Sequence, residues 1–134
     1  MSQIKRNIPD AQLTQFTNFP AQATTQYTTG FDLVLAGNVS RESFEVLVSL
    51  DADVVNSGQT IVATIQDSAD GANFADVAAL GTLTQTGGAG NTASATSLRV
   101  TLPSSIRQYI RLKIVTSATA GDNTAYGSTL QLLF

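Results

Sequence analysis

Residues 98–115 read LRVTLPSSIRQYIRLKIV, and the alternation in this stretch decides the fold. Leu98, Val100 and Leu102 alternate with Arg99 and Thr101. Ile110, Leu112 and Ile114 alternate with Arg111 and Lys113. Side chains two apart share one face of a strand, so each run has an apolar face and a basic or polar one. Pro103-Ser104-Ser105 supplies a turn, because proline fixes φ and lacks a backbone donor. The stretch therefore predicts two half-buried strands on adjacent positions, and half-buried strands need others to cover them.

The rest of the chain supplies such strands. Alternation predicts strands over 31–35, over 41–50 with Phe44, Val46, Val48 and Leu50 on one face, and over 59–66 with Ile61, Ala63 and Ile65 inward. A short strand pair follows over 74–83, and a final strand over 124–134 with Leu130, Leu132 and Phe134 on one face. Gly37-Asn38, Asn56-Ser57-Gly58, Asp70-Gly71 and Gly121-Asp122 mark turns,. Residues 84–95, with Gly87, Gly88 and Gly90, read as a long loop,. This is an all-β pattern of about seven to eight antiparallel strands, a jelly-roll or β-sandwich domain over 30–134, with an immunoglobulin-like sandwich as the competitor. Residues 1–29 differ. Their apolar residues, Ile4, Ile8, Leu13, Phe16, Phe19 and Tyr27, are scattered, and Pro9 and Pro20 interrupt any helix. They read as an extended N-terminal arm whose Ile4, Ile8, Leu13, Phe16 and Phe19 are candidate contacts to a partner subunit.

Composition narrows the function classes. The chain of 134 residues has no Cys and no His, only 13% charged residues and a formal net charge of −3. Without His or Cys it lacks the commonest general base, the commonest metal ligands and any thiol nucleophile. Its Gly-rich loop lacks the Lys-Ser/Thr of a phosphate-binding loop. Glu42 and Glu45 are the acids nearest to a glycosidase pair, but the aromatic residues that stack on sugars are few. Asp51 and Asp53, and Asp67 with Asp70, invite a Ca²⁺ reading, yet they lack the full ligand pattern and are read as ordinary turns. No enzyme, cofactor, metal or small-molecule substrate is expected. A negative chain is a poor nucleic-acid binder, and no apolar run approaches the roughly 18–20 residues of a membrane helix. The expectation is a protein made and used in the cytoplasm.

The basic residues are concentrated. Arg99, Arg107, Arg111 and Lys113 are four of the seven Lys and Arg residues, and no acid lies between Asp76 and Asp122. Together with Tyr109 they form a candidate contact surface for acidic residues of another chain, with Arg107 and Tyr109 as anchors.

Taken in order, a strand, the segment TIQDSADGANFADV, a Gly-rich loop, LRVTLPSSIRQYIRLKI and a closing LQLLF resemble the capsid cement, or decoration, proteins of tailed bacteriophages, those of short-tailed Bordetella phages among them. The likeness runs over 44–134 and is most distinctive from Leu102-Pro103 to Leu112. It implies a jelly roll on the outer capsid surface of a virion, made in the host cytoplasm. The partners it implies are the major capsid protein and further copies of itself, as a dimer or trimer. It implies no catalytic residues. A tail or fibre module that binds host carbohydrate is the alternative.

Overall fold

The computed structural model describes residues 14–33 and 45–133. Its centre is the strand whose alternation is cleanest. In Tyr109–Thr116, here β9, Ile110, Leu112 and Ile114 are fully buried, while Tyr109, Arg111 and Lys113 between them are half-buried. β9 pairs along its length with Thr60–Ser68 (β5), and on its other side with Thr25–Tyr27 (β2) and Phe31–Asp32 (β3). β5 turns back onto Ala75–Asp76 (β6) and Thr82–Thr86 (β7). This sheet has the order β2-β9-β5-β6, with β3 also on β9 and β7 also on β5.

The opposite sheet has the order β1-β10-β4-β8, from Thr14–Asn18 (β1), Gly127–Leu133 (β10), Glu45–Leu50 (β4) and Thr96–Thr101 (β8). All of these pairings are antiparallel. Val46, Val48 and Leu50 of β4, with Leu130 and Leu132 of β10, face Ile61, Ala63 and Ile65 of β5 and the apolar side of β9 in one core. Burying each large aliphatic side chain contributes roughly 1.5–3 kcal/mol.

The chain passes from one sheet to the other at nearly every connection. β2 and β3 lie on the same strand, interrupted near Gly30. β6 and β7 likewise share an edge of β5, interrupted by a 3-10 turn at Ala78–Leu80. Counting each interrupted pair once gives the two-sheet order of a jelly roll. The ten strands among the described residues thus form eight sandwich strands, two of which, β1 and the β2 part of another, fall in 1–29, where the alternation predicts no strand. No helix among the described residues is long and apolar enough to cross a membrane.

Two expectations are corrected. The first is the arm. Ile4, Ile8 and Leu13 lie outside the described residues, but 14–29 belongs to the sandwich. β1 pairs with β10 from Thr14 to Asn18, Phe19 is 1% exposed in the core, and β2 pairs with β9. The Gln15 side chain bonds both the N–H and the C=O of Gly30, tying β1 to the far sheet. Gly30 has φ +93°, and a Cβ there would lie 2.8 Å from the Ile110 carbonyl oxygen, so this close crossing requires glycine,.

The second correction concerns 98–115. β8 and β9 are not neighbours in one sheet; they lie in opposite sheets. The connection is pinned by Leu102 and Ile106, both buried in the core, with a turn in which Ile106 N–H donates to the Pro103 carbonyl. Alternation fixes which face of a strand is buried, but not which strand lies beside it.

The two phenylalanines of the expected arm therefore have opposite roles. Phe19→Ala should lower the unfolding free energy by about 3–5 kcal/mol, whereas Phe16→Ala, at 59% exposed, should change it by less than ~1 kcal/mol. Urea titration of the two variants checks this, and equal tolerance of both would restore the arm.

Candidate interaction surface

The outer face of the β9 sheet carries the polar half of the alternation. Tyr109, Arg111, Lys113 and Val115 stand opposite Ser68, Gln66, Thr64 and Val62 of β5. Tyr27 on β2 flanks this row on one side, and Phe74, just before β6, on the other. The Arg111 guanidinium carbon lies 3.8 Å from the Tyr27 ring centre and 4.0 Å from that of Phe74. A planar cation between two aromatic faces gains from both, by roughly 0.5–2 kcal/mol each.

The network continues from Arg111. Its Nε donates to Gln66 Oε1 at 2.9 Å, Gln66 Nε2 donates to Asp76 Oδ1 at 2.8 Å, and Lys113 Nζ donates to both oxygens of Asp76 at 2.8 and 2.9 Å. The bond from Lys113, followed by that from Gln66, holds the Asp76 carboxyl below its ordinary value,.

Arg107, just before β9, closes on Asp67, which is buried opposite the core residue Ile110. Its Nε and Nη2 donate to Oδ1 at 2.9 and 2.6 Å, its backbone N–H to Oδ2 at 3.0 Å, and Nη2 also to the Asp67 carbonyl at 2.8 Å. The Asp67 bond raises the Arg107 guanidinium above its ordinary value. In the adjoining turn Asp70 accepts from the amides of Ala72 and Asn73 and from the Ser68 hydroxyl. Those local donors, the Asn73 amide foremost, hold its carboxyl well below the carboxylate range. The Asp67–Asn73 segment is thus a turn organised by its own backbone and by Arg107.

Of the sequence-predicted contacts, the fold assembles Tyr109, Arg111 and Lys113 on one face, with Arg107 just before β9 bound to the buried Asp67. Arg99 lies on β8 in the opposite sheet, on its outer side, and bonds Glu45 across the strands. Phe16 is exposed on β1, and Phe19 is in the core. Glu42 lies outside the described residues, and Glu45 is engaged by Arg99. Arg99, Arg107 and Lys113 each answer an acid of this same chain, and Arg111 answers two rings and an amide. Three of the four cations are thus paired with acids where they stand. The residues that sequence reading missed are those partners: Asp67, Asp76 and Gln66 on β5 and β6, and Tyr27 and Phe74 beside them. Strand register brings them together, and register is not written in any local motif.

The large apolar side chains that stay exposed among the described residues are Phe16, Tyr27, Val54 and Val115. Tyr27 is 42% exposed and Val115 36% on this face, and Phe16 is 59% exposed on the outer side of the other sheet. Beside Tyr109 the face sinks into a cleft of about 240 Å³, between the segment Thr29 to Asp32 and the side chains of Phe74 and Tyr109.

No protein-family model matches this chain, and no curated protein matches it. Among solved structures, the crystal structure of PBSX exported protein XepA superposes with a TM-score of 0.59 at 15% identity, over 90% of this chain. This chain spans 36% of that one, so about a third of its length. At that identity the likeness establishes a shared fold. A second structure, described as "CBM4 structure and function", aligns over 88% of this chain and 55% of that one at 11% identity, with a TM-score of 0.34, too low to support an argument.

The Asp76 network has a measurable pH signature. Because the folded carboxyl is held below its ordinary value, the stabilisation it gives is complete at neutral pH and is lost only as pH falls through that lowered value,. NMR titration of the Asp76 carboxyl should show a midpoint below that of a free aspartate, and Lys113→Ala should move it upward.

Proposed function

We propose that this chain is a structural protein of a phage particle, one that decorates the outside of the capsid and holds neighbouring major capsid subunits together. The observation that carries the reading is the character of the exposed surface. Three of the four cations among the described residues are paired with acids of the chain and the fourth, Arg111, is held between two rings, and Phe16 and Tyr27 stand exposed on β1 and β2, the end strands of the two sheets, which touch one another. Such a surface makes many weak apolar and hydroxyl contacts rather than a few strong ionic ones. Repeated over a symmetric lattice, weak contacts add through avidity. The fold shared with XepA, a phage exported protein, supports the phage origin, as does the resemblance of 44–134 to cement proteins. In this reading the protein is not an enzyme, needs no nucleic acid or membrane, and works as a dimer or trimer on the major capsid protein.

A tail or fibre module for host carbohydrate is the second reading. The cleft beside Phe74 and Tyr109 favours it, since sugar rings stack on aromatic faces. Its volume of about 240 Å³ is below that of ordinary ligand pockets, roughly 300–1,000 Å³, which ranks it second.

Co-sedimentation with undecorated shells of the source phage tests the first reading. Saturable binding at a fixed ratio to the major capsid protein is expected. Because three of the four described cations are paired with acids of the chain, raising NaCl from about 50 to 500 mM should weaken binding by less than ~3-fold, whereas Phe16→Ser with Tyr27→Ser should weaken it by ~10-fold or more. Absence of binding, with signal on a glycan array, would favour the second reading.

A further inference from the structure

Five buried side-chain polar atoms among the described residues have no hydrogen-bond partner. They belong to four residues: both carboxylate oxygens of Asp53, Gln85 Oε1, Asn123 Nδ2 and Ser128 Oγ. These residues border one segment, 51–54. Asp53 and Ala93 exchange both backbone hydrogen bonds, at 3.0 and 3.1 Å, so their side chains share a face,. Ala93 belongs to the core, and the Asp53 carboxylate is therefore turned inward. Gln85 stands opposite core residue Ile61 on β5 and is turned inward too. Its Nε2 donates to the carbonyls of Asp51 at 2.7 Å and Ser94 at 2.8 Å, which sets Oε1 of the same amide beside segment 51–54. On the other flank Asn123 Oδ1 accepts from the Val54 amide, and Ser128 stands opposite Leu50.

Asp53 is 5% exposed and Gln85 3%. A buried carboxylate without a partner is costly, and buried polar atoms that stay unpaired in a native fold call for an ion or a water. Three of the five are pure acceptors, two on Asp53 and one on Gln85. A proton on Asp53 answers at most one or two of them; a cation answers all three. No three Asp, Glu, His or Cys side chains come together among the described residues, so carbonyl and hydroxyl oxygens must complete any coordination shell. That donor set selects a hard cation of flexible geometry.

We propose that Asp53 and Gln85, with Ser128 Oγ, bind one divalent cation of the Ca²⁺ class at this end of the sandwich. Asn123 Nδ2, a donor, is no ligand; a water on the ion would accept from it. Asp51 adds negative charge nearby, although its Oδ2 already accepts from the Gly127 amide. Burial pushes the Asp53 carboxyl up to about 6, against a pull from the Val55 amide, which is near without meeting hydrogen-bond geometry, and with the Asp51 charge adding to the rise. One buried carboxylate implies weak binding, with a Kd of about 10⁻⁴–10⁻³ M. The site does not depend on the capsid reading.

The test uses the full chain, stripped with EGTA, at pH 7.5. Isothermal titration with CaCl₂ should give one site per chain, and 5 mM CaCl₂ should raise Tm by about 3–8 °C, with MgCl₂ giving a smaller shift. Asp53→Asn should abolish both responses. Should that variant fail to fold, Asp51→Asn, at an exposed carboxylate, should weaken Ca²⁺ binding several-fold. Neither heat nor a Tm shift in the wild-type protein at 10 mM CaCl₂ would overturn the proposal in favour of buried water or a protonated Asp53. An unchanged Ca²⁺ response in folded Asp53→Asn would overturn the assignment to these residues.

Discussion

The register of β9 against β5 is the constraint on which the rest of the molecule depends. It places Ile110, Leu112 and Ile114 into the core and Tyr109, Arg111 and Lys113 outward, opposite Ser68, Gln66 and Thr64. A slip of one residue would send two cations and a tyrosine inward and three aliphatic side chains into water,. No compensating arrangement exists, because the core of the opposite sheet is built from Val46, Val48, Leu50, Leu130 and Leu132. The same register also makes the outer face. It brings Gln66 beside Arg111 and sets Asp76 of β6 opposite Gln66, within reach of Lys113. Core and surface chemistry are two sides of one pairing.

That pairing explains why a chain with only 13% charged residues still shows organised charge. Three cations meet three acids across strands, and a fourth lies between two rings. The more exposed pairs, Arg99–Glu45 and Lys113–Asp76, contribute little to stability,. Their effect is on the outer field: they cancel a basic stripe that would otherwise steer acidic partners. Phe16, Tyr27, Val54 and Val115 are the large apolar side chains left exposed among the described residues.

Much of the fold is legible in the sequence because central strands alternate strongly. β4, β5, β9 and β10 each carry a run of inward aliphatic residues that needs no knowledge of partners. The end strands are not legible for the opposite reason. β2 is exposed along its whole length and β1 along much of it, so neither shows a two-residue apolar period, and 14–29 looks like an arm. The assignment of β8 and β9 to opposite sheets is hidden too, since Leu102 and Ile106, the residues that pin the crossover, resemble any loop hydrophobics. For the surface, the cations could be found by counting charge. Their partners Asp67, Asp76, Tyr27 and Phe74 come from other strands, and only register joins them.

The polar groups of this jelly roll fall into two regimes. On the outer face Asp76 has its donors and solvent beside them, and the buried Asp67 is answered in full by Arg107. At segment 51–54 the situation is reversed: Asp53 is more deeply buried than Asp76, yet it lacks the partners that Asp76 has. Desolvation penalises an unanswered charge far more than solvent-exposed pairing rewards an answered one. Of the two buried aspartates, Asp67 is answered by Arg107 and Asp53 by no side chain, so it is at Asp53 that desolvation stays uncompensated within the chain,.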